Sequence, residues 1–441
     1  MSSLGGWDRV KVRTWMWLSL FLIPLALYLY AYFRTPLIPM IDGPYYASQL
    51  LWIAKYGTLR HPDPPLTFYL LLPFYWLTGD NILAVKIGAP FLVSLAFLPA
   101  FLFLREVEEF EGAAAAGALA FTLSEYTVRM VTNFVKNAVG LIWVFSWMLF
   151  SYRYQKNGDW RDLVGVMASV MLAMLTHILD FGFIVAVSIV QLFMKRDKRS
   201  TLLAAFSLAF LALTFFQPWI VGGDVFKGIA FVEEVSEGET GRVRASAPVR
   251  MTDLIPYAAS LLLVVVWLKG GEALYGAVGI VSLLMNIPFY GWKWIMRFRN
   301  MTGIPLGTSL GKAHSLAGRR GFYFSILALA LILSSGLKLA SSVHPTIDLE
   351  TYEEMRYIFS RFTGEVYVPD VKVRYWAETI SLSVGSSPQG ADYLMICLAS
   401  KALEGGQIPP PQDQRIVKLL RHLRAIPLFE GRRCFLYKIR G

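Results

Sequence analysis

The fold is decided by the stretch Pro39-Met-Ile-Asp42-Gly-Pro-Tyr45-Tyr46 and its continuation His61-Pro-Asp63-Pro-Pro65-Leu-Thr-Phe-Tyr69. Both pieces lie in a polar, proline-rich interruption, residues 34–80, between two hydrophobic runs. An apolar run of about 17 to 25 residues is long enough for a helix to cross a bilayer. We therefore expect residues 1–340 to form a membrane domain that carries 34–80 as its first outer loop.

Composition supports a membrane protein. The 441 residues are 55% hydrophobic and only 17% charged, whereas a soluble domain carries about 25% charge. The formal net charge is +11, but the Lys and Arg residues stand in short clusters between apolar runs. Such clusters mark membrane topology and contact lipids, so we expect no nucleic-acid partner.

The apolar runs predict a polytopic α-helical membrane protein of about eleven spans. We place these spans at 15–33, 81–104, 113–128, 138–152, 163–178, 182–194, 201–219, 253–268, 273–290, 301–317 and 321–340. The first span lacks a small-residue cleavage site and is interpreted as a retained anchor.

The density of basic residues predicts the orientation. An inward N-terminus places the cluster Lys195 to Arg199 inside, and an odd number of spans then places the C-terminus outside. The helix predicted from Pro65 to Gly79 is treated as part of the first outer loop, because counting it as a span would export that cluster.

Residues 341–441 are polar and mixed, and we expect a small extracytoplasmic α/β domain there. Strands near 365–369, 393–397 and 433–438 alternate with helices at 371–381 and 414–423. Cys397 and Cys434 fall in two of these strands. Outside the membrane a disulfide is permitted, and two buried free thiols are the alternative.

Asp42 has two interpretations. It could be the N-cap of a helix from Pro44 to Lys55, with proline in the first turn. It could instead be a general base that takes a proton from an acceptor hydroxyl. Tyr45, Tyr46 and Tyr69 accompany it, and sugar rings stack on such side chains.

The order of these residues resembles the first outer loop of the GT-C membrane glycosyltransferases, which include protein O-mannosyltransferases and lipid A aminoarabinose transferases. In that family an Asp-Glu-x-x-Tyr or Asp-x-x-Tyr start leads through an amphipathic helix to a glycine. A Lys/His-Pro-Pro-Leu-type helix start follows. The matching segments are Asp42-Gly-Pro-Tyr45, Gly57, Asp63-Pro-Pro65-Leu and Trp76-Leu-Thr-Gly79.

The resemblance implies an inverting glycosyltransferase that uses a polyprenyl- or dolichyl-phosphate-linked sugar, with Asp42 as the base. It implies no required cofactor; a divalent metal is a weaker alternative, because Gly43 replaces the second acidic residue. Asp63-Pro64 stands where a basic residue often precedes the Pro-Leu step. Phosphate binding must then fall to other cations.

The remaining site candidates lie at predicted outer boundaries. Arg129, Lys136, Arg297 and Arg299 are candidate ligands of a lipid phosphate, or they snorkel to headgroups. His177 and Asp180 share a helical face, and His61 and Asp63 form a second pair. These four are candidate sugar contacts, and local hydrogen bonding or a shared metal site are the alternatives.

These features together predict a multi-pass cell-membrane enzyme with an extracytoplasmic active site. The acceptor is a glycan, a lipid or a protein, and the loop 220–252 is either a lid or a solvated loop. An oligosaccharyltransferase is disfavoured because the C-terminal segment has no Trp-Trp-Asp-type motif. A secondary transporter is disfavoured by the lack of internal repeats, and a non-catalytic polyprenyl-phosphate-binding protein is the remaining alternative.

Overall fold

The computed structural model describes Trp17 and residues 19–222, 254–287, 292–397 and 414–439, which are mostly helical. The lid-like part of the loop 220–252 lies outside the described residues after Gly222. The helices in chain order are α1 Leu22–Phe33, α2 Asp42–Tyr56, α3 Leu66–Thr78, α4 Asn81–Ser94, α5 Phe97–Glu108, α6 Glu111–Leu123, α7 Glu125–Asn133, α8 Val135–Asn157, α9 Trp160–Thr176, α10 Ile178–Lys195, α11 Lys198–Phe216, α12 Ile255–Leu268, α13 Ala273–Met285, α14 Trp292–Asn300, α15 Gly303–Ser342, α16 Leu349–Arg361, α17 Val371–Ile380 and α18 Gln414–His422.

A described helix overlaps every predicted span, so the predicted helical architecture is confirmed. Within the described part of the chain, four helical stretches are long and apolar enough to cross a membrane, and several shorter helices are equally apolar. The long stretches are Asn81–Glu108, Ile178–Lys195, Lys198–Phe216 and Arg320–Ser342. The number of spans and the orientation of the chain stay predictions.

The described chain forms two compact units. The first consists of Met1–Tyr28, Pro62–Thr67 and Pro90–Ser341, and the second of Leu29–His61, Phe68–Ala89 and Ser342–Gly441. Much of the predicted first outer loop therefore shares a compact unit with the C-terminal segment. The domain boundary at residue 340 stays a prediction.

Small residues let helices of the first unit approach closely. A Cβ atom added at Gly117 in α6 would lie 2.6 Å from the carbonyl oxygen of Gly307 in α15, and one added at Gly311 would lie 3.2 Å from that of Ala113. Gly307 and Gly311 are one helical turn apart, which is the small-xxx-small pattern of close helix packing in membranes.

The helix α15 reverses direction at Gly318, whose φ of 53° and ψ of −127° are not helical. Before this residue, Gly303 adjoins Phe121 and Gly311 adjoins Ala113; after it, Gly336 adjoins Leu123. The two halves of α15 therefore run in opposite directions along α6. This break separates the predicted spans 301–317 and 321–340.

The C-terminal part of the second unit contains a five-stranded mixed sheet in the order β2-β1-β3-β5-β4. The strands are β1 Val366–Tyr367, β2 Val384–Gly385, β3 Tyr393–Cys397, β4 Ile426–Glu430 and β5 Cys434–Lys438. The predicted α/β module is confirmed, while α16, β2 and β4 were not predicted. The basic helix α18 packs its apolar side against the sheet residues Leu394, Ile396 and Tyr437.

Two contacts fasten this sheet. Cys397 and Cys434 face each other in the antiparallel register of β3 and β5 and form a disulfide. The carboxylate of Glu354 in α16 accepts the backbone N–H groups of Arg432, Arg433 and Cys434 at 2.9, 3.0 and 2.8 Å. The turn before β5 is therefore held both by the disulfide and by three hydrogen bonds to Glu354.

Replacing both cysteines by serine is expected to lower the stability of the C-terminal sheet by about 2 to 4 kcal/mol, because the bond closes a loop in the unfolded chain. Limited proteolysis during a temperature ramp measures this loss. Wild-type protein treated with a reductant should match the double variant. Equal protease resistance of the wild type and the variant would contradict the expectation.

Candidate functional site

Asp42 is the first residue of α2, and its side chain is half-buried. The N-cap of the helix is Ile41, and no side chain caps it. The interpretation of Asp42 as an N-cap is therefore wrong, and the helix begins before the predicted start at Pro44. A carboxylate in the first helical turn is favoured by the helix dipole, so a negative charge is accommodated there without a capping bond.

The backbone just before Asp42 is strained. Met40 has a φ of 64°, a conformation that residues other than glycine rarely adopt. Its N–H donates to the carbonyl of His344 at 2.8 Å, and Met40 forms a parallel β-bridge with Pro345. Such strain persists only where surrounding contacts determine it, so the C-terminal segment fixes the chain at its entry to Asp42.

Gln49 ties the loop after α2 to the helix. Its buried amide nitrogen donates to the hydroxyl of Tyr45 at 3.0 Å and to the carbonyl of His61 at 2.8 Å. Its amide oxygen accepts the backbone N–H of Arg60 at 2.8 Å. Residues 42, 45 and 49 recur at helical spacing, so Asp42, Tyr45 and Gln49 share one face of α2.

Glu378 in α17 joins two side chains of that loop. Its carboxylate is 1% exposed and lies 3.3 Å from Nε of Arg60 and 3.1 Å from Nε2 of His61. The Arg60 guanidinium also donates to the carbonyls of Leu382 and Val384. Burial lowers the pKa of Arg60, and the charge of Glu378 acts in the opposite direction.

Three half-exposed rings meet beside this ion pair. The ring centroids of Tyr45 and His61 are 5.9 Å apart, those of Tyr45 and Tyr375 are 5.1 Å apart, and those of His61 and Tyr375 are 5.8 Å apart. Tyr375 comes from α17 and the other two from the first outer loop. We call these three residues the ring triangle.

Asp63 and Lys136, in the first unit, form an ion pair. Their side chains are 6% and 12% exposed, and the backbone of Asp63 lies directly against Gly222, which has a φ of 58°. Asp63 stands where the family pattern has a basic residue. The cation beside this position is Lys136 of α8.

Asp180 is fully buried in α10. The amide nitrogen of Asn137, in the orientation that satisfies both residues, donates to its two carboxylate oxygens at 3.0 and 2.8 Å. Nδ1 of His177 lies 3.6 Å from Asp180, and the same ring accepts the N–H of Leu179 as the N-cap of α10. A Cβ atom at Gly140 would collide with the Asp180 carboxylate, so the glycine is what makes room for it.

The other sequence candidates have ordinary surroundings. Tyr46 is buried, with its ring centroid 5.5 Å from that of Phe68, and Tyr69 is exposed and donates to the carbonyl of Gly57 at 3.2 Å. Arg297 is exposed over the ring of Trp294. Arg129 and Arg299 are half-buried in α7 and α14. The assignment of Asp42 and of every candidate ligand to a role in catalysis stays a prediction.

Glu378, Tyr375, Gln49 and Asn137 were not found from the sequence. Gln49 had a signal, because it repeats the helical spacing of Asp42 and Tyr45. Glu378 and Tyr375 had none, since they contact residues more than 300 positions earlier in the chain. Among the described residues, no group of three or more His, Cys, Asp or Glu side chains could hold a metal ion.

The family model of dolichyl-phosphate-mannose-protein mannosyltransferase matches residues 61–221. This range includes Asp63, Lys136, His177 and Asp180 and begins after Asp42. A comparison with curated protein sequences gives no match.

Several solved structures share the fold. An oligosaccharyltransferase from Archaeoglobus fulgidus, in complex with zinc and sulfate, is similar with a TM-score of 0.60 and 13% identity over 84% of this chain, which spans 62% of that protein. ArnT from Cupriavidus metallidurans, bound to undecaprenyl phosphate, has a TM-score of 0.58 and 13% identity over 96% of this chain and 98% of its own. The arabinofuranosyltransferase AftD from Mycobacteria has a TM-score of 0.54 and 14% identity over 96% of this chain and 40% of its own.

The chain shares the fold of these solved structures, and the family match over residues 61–221 confirms the resemblance to the GT-C membrane glycosyltransferases. The neighbours are integral membrane proteins, which agrees with the apolar helices of this chain.

Gly140→Ala is expected to destabilise the first unit by about 1 to 3 kcal/mol, because the added methyl group overpacks the site of Asp180. The matched control is Gly182→Ala, at a helical glycine of α10 with open space around it. Alanine there should be neutral or slightly stabilising. Thermal unfolding in one detergent compares the two, and equal melting temperatures would contradict the contact.

Proposed function

We propose that this protein is a glycosyltransferase that moves a sugar from a polyprenyl- or dolichyl-phosphate-linked donor to an acceptor hydroxyl on the extracytoplasmic side. The observation that carries the proposal is the place of Asp42: a half-buried carboxylate in the first turn of α2, in the segment that follows the apolar helix α1. The match to a mannosyltransferase family and the undecaprenyl phosphate bound to the structural relative ArnT support the class of donor.

In the proposed reaction Asp42 is the general base. It accepts the proton of the acceptor hydroxyl as the hydroxyl oxygen forms a bond to the anomeric carbon of the donor sugar. The bond between that carbon and the phosphate oxygen breaks, and its electron pair leaves with the lipid phosphate. A single displacement of this kind inverts the anomeric configuration.

The departing lipid phosphate requires a cation. Lys136 is one candidate for this role, because its ammonium group is held by Asp63 and its side chain is still 12% exposed. Arg129, Arg297 and Arg299 remain further candidates for phosphate contacts.

Asp42→Asn is expected to reduce release of polyprenyl phosphate from a radiolabelled donor by about 10²-fold or more, because general-base catalysis contributes about 10² to 10⁴. Asp80→Asn is the matched control. Asp80 lies in the same predicted loop and accepts the N–H of Leu83 at 2.8 Å, a bond that asparagine can also accept. Equal loss in both variants, or equal activity in both, would remove Asp42 as the base.

Lys136→Met is expected to weaken binding of undecaprenyl phosphate by roughly tenfold to a hundredfold, the range for a lost hydrogen bond to a charged group. Lys156→Met, at an exposed lysine of α8, is the control and should bind as the wild type does. Calorimetric titration of the protein in lipid nanodiscs gives both dissociation constants. Unchanged affinity in Lys136→Met would exclude Lys136 as a phosphate ligand.

A further inference from the structure

The ring triangle lies one helical turn from Asp42 on the same face of α2. Tyr45 follows Asp42 at i+3, so their Cβ atoms are about 5 to 6 Å apart. That distance is close to the width of a sugar ring. A sugar stacked on Tyr45 would therefore present a hydroxyl to the Asp42 carboxylate.

The Tyr45 ring also packs against those of Tyr46 and Phe68, at centroid distances of 5.7 and 5.8 Å, but packing does not account for the exposure of His61 and Tyr375. The neighbouring Trp376 and Glu378 of α17 are fully buried, and Trp376 donates to the hydroxyl of Thr346 at 2.8 Å. Tyr375 and His61 remain half-exposed, with 29% of the His61 side chain open. The helix is thus fixed by its buried residues, while the rings present an aromatic surface.

The two arginines near the ring triangle, Arg60 and Arg374, differ in their partners. The guanidinium of Arg60 is committed to Glu378 and to two backbone carbonyls. Arg374, directly before Tyr375, is half-buried, and its buried Nε has no hydrogen-bond partner among the described residues. Its charge nevertheless reaches Arg60, since it contributes to the lowered pKa of that residue. Arg374 is the one of the two arginines that is left to bind an anion.

We propose that Tyr45, His61 and Tyr375 form an acceptor subsite for the sugar ring of an acidic glycan, and that Arg374 binds the carboxylate or phosphate group of that glycan. The proposal rests on the glycosyltransferase function proposed above. The subsite is assigned to the acceptor because the hydroxyl that Asp42 deprotonates belongs to the acceptor. Tyr375 and Arg374 also belong to the polar segment that follows the last apolar span, whereas a lipid-linked donor is presented by the bilayer.

The aromatic rings and the guanidinium have different roles in this subsite. Aromatic faces give affinity for the apolar side of a sugar ring, and this contribution does not depend on the charge of the glycan. A guanidinium recognises a carboxylate or phosphate with paired hydrogen bonds. Loss of a ring and loss of the guanidinium must therefore give different substrate profiles.

The test uses the full-length protein in lipid with two matched oligosaccharide acceptors, one ending in glucuronate and one in glucose. Arg374→Gln should raise KM for the acidic acceptor by about tenfold or more, the effect of losing a hydrogen bond to a charged group. KM for the neutral acceptor and for the donor should not change. Arg356→Gln, at an exposed arginine of α16 paired only at the surface with Glu353, is the control.

Tyr375→Ala should raise KM for both acceptors by about threefold to tenfold, the range for one aromatic contact, and Tyr375→Phe should restore it. Because Tyr375→Ala could fail to fold, Tyr375→Leu tests the same contact with the bulk kept. A higher KM for the donor in these variants, or no preference of the wild type for the acidic acceptor, would overturn the assignment.

A binding measurement separates this inference from the proposed function. Saturation-transfer NMR of the glucuronate-ended oligosaccharide with wild type and Arg374→Gln requires no transfer reaction. Binding that is lost in Arg374→Gln, without any sugar transfer by the wild type, supports the subsite and rejects the transferase. Transfer by the wild type that is insensitive to Arg374→Gln and Tyr375→Leu rejects the subsite and leaves the transferase.

Discussion

The carboxylate of Glu378 is buried between a guanidinium and an imidazole that precede it by more than 300 residues. An unpaired charge in that position would be costly, whereas a carboxylate with two partners is compensated. The contact therefore fixes both α17 of the C-terminal segment and the loop that follows α2. Gln49 adds bonds to the backbone of the same loop, and Met40 is held in a strained conformation by the backbone of His344. The geometry around Asp42 is thus determined by long-range contacts rather than by the local sequence.

Two carboxylates of the first unit, those of Asp63 and Asp180, are stabilised in other ways. Asp63 is paired with Lys136, and Asp180 is enclosed by Asn137 and by the space that Gly140 leaves. In an apolar environment each ionisable group needs a partner of its own, because water is not there to replace it. The two carboxylates are stabilised differently. Asp63 is paired with an opposite charge, whereas Asp180 accepts hydrogen bonds from an amide and occupies the space left by the glycine at position 140. The second arrangement encloses Asp180 completely, whereas the side chain of Lys136 is still 12% exposed.

Much of the architecture followed from the sequence, because helices in a membrane are specified by continuous apolar runs. The break near Gly318, the helix α3 and the strands β3 and β5 all carry local signals of this kind. The strands that were not predicted lack such a signal. β2 is two residues long, and β4 contains Pro427, a residue type that disfavours a strand. Asp42 looked like a cap because Pro44 suggested a later helix start. Asp42 itself was found through a pattern of neighbours. Glu378 and Tyr375 have no such pattern, because the residues they contact are distant in the chain and only the fold brings them together.

The order of strands in the C-terminal sheet has a consequence for biosynthesis. The last strand along the chain, β5, is not at an edge but between β3 and β4. A ribosome therefore delivers β1 to β4 before the strand that joins them exists, and during that interval β3 has an unpaired edge that is open to wrong partners. Cys434 arrives with β5, so the covalent link to Cys397 can form only after the whole sheet has been synthesised. The sheet and its covalent link are therefore completed together, by the same strand.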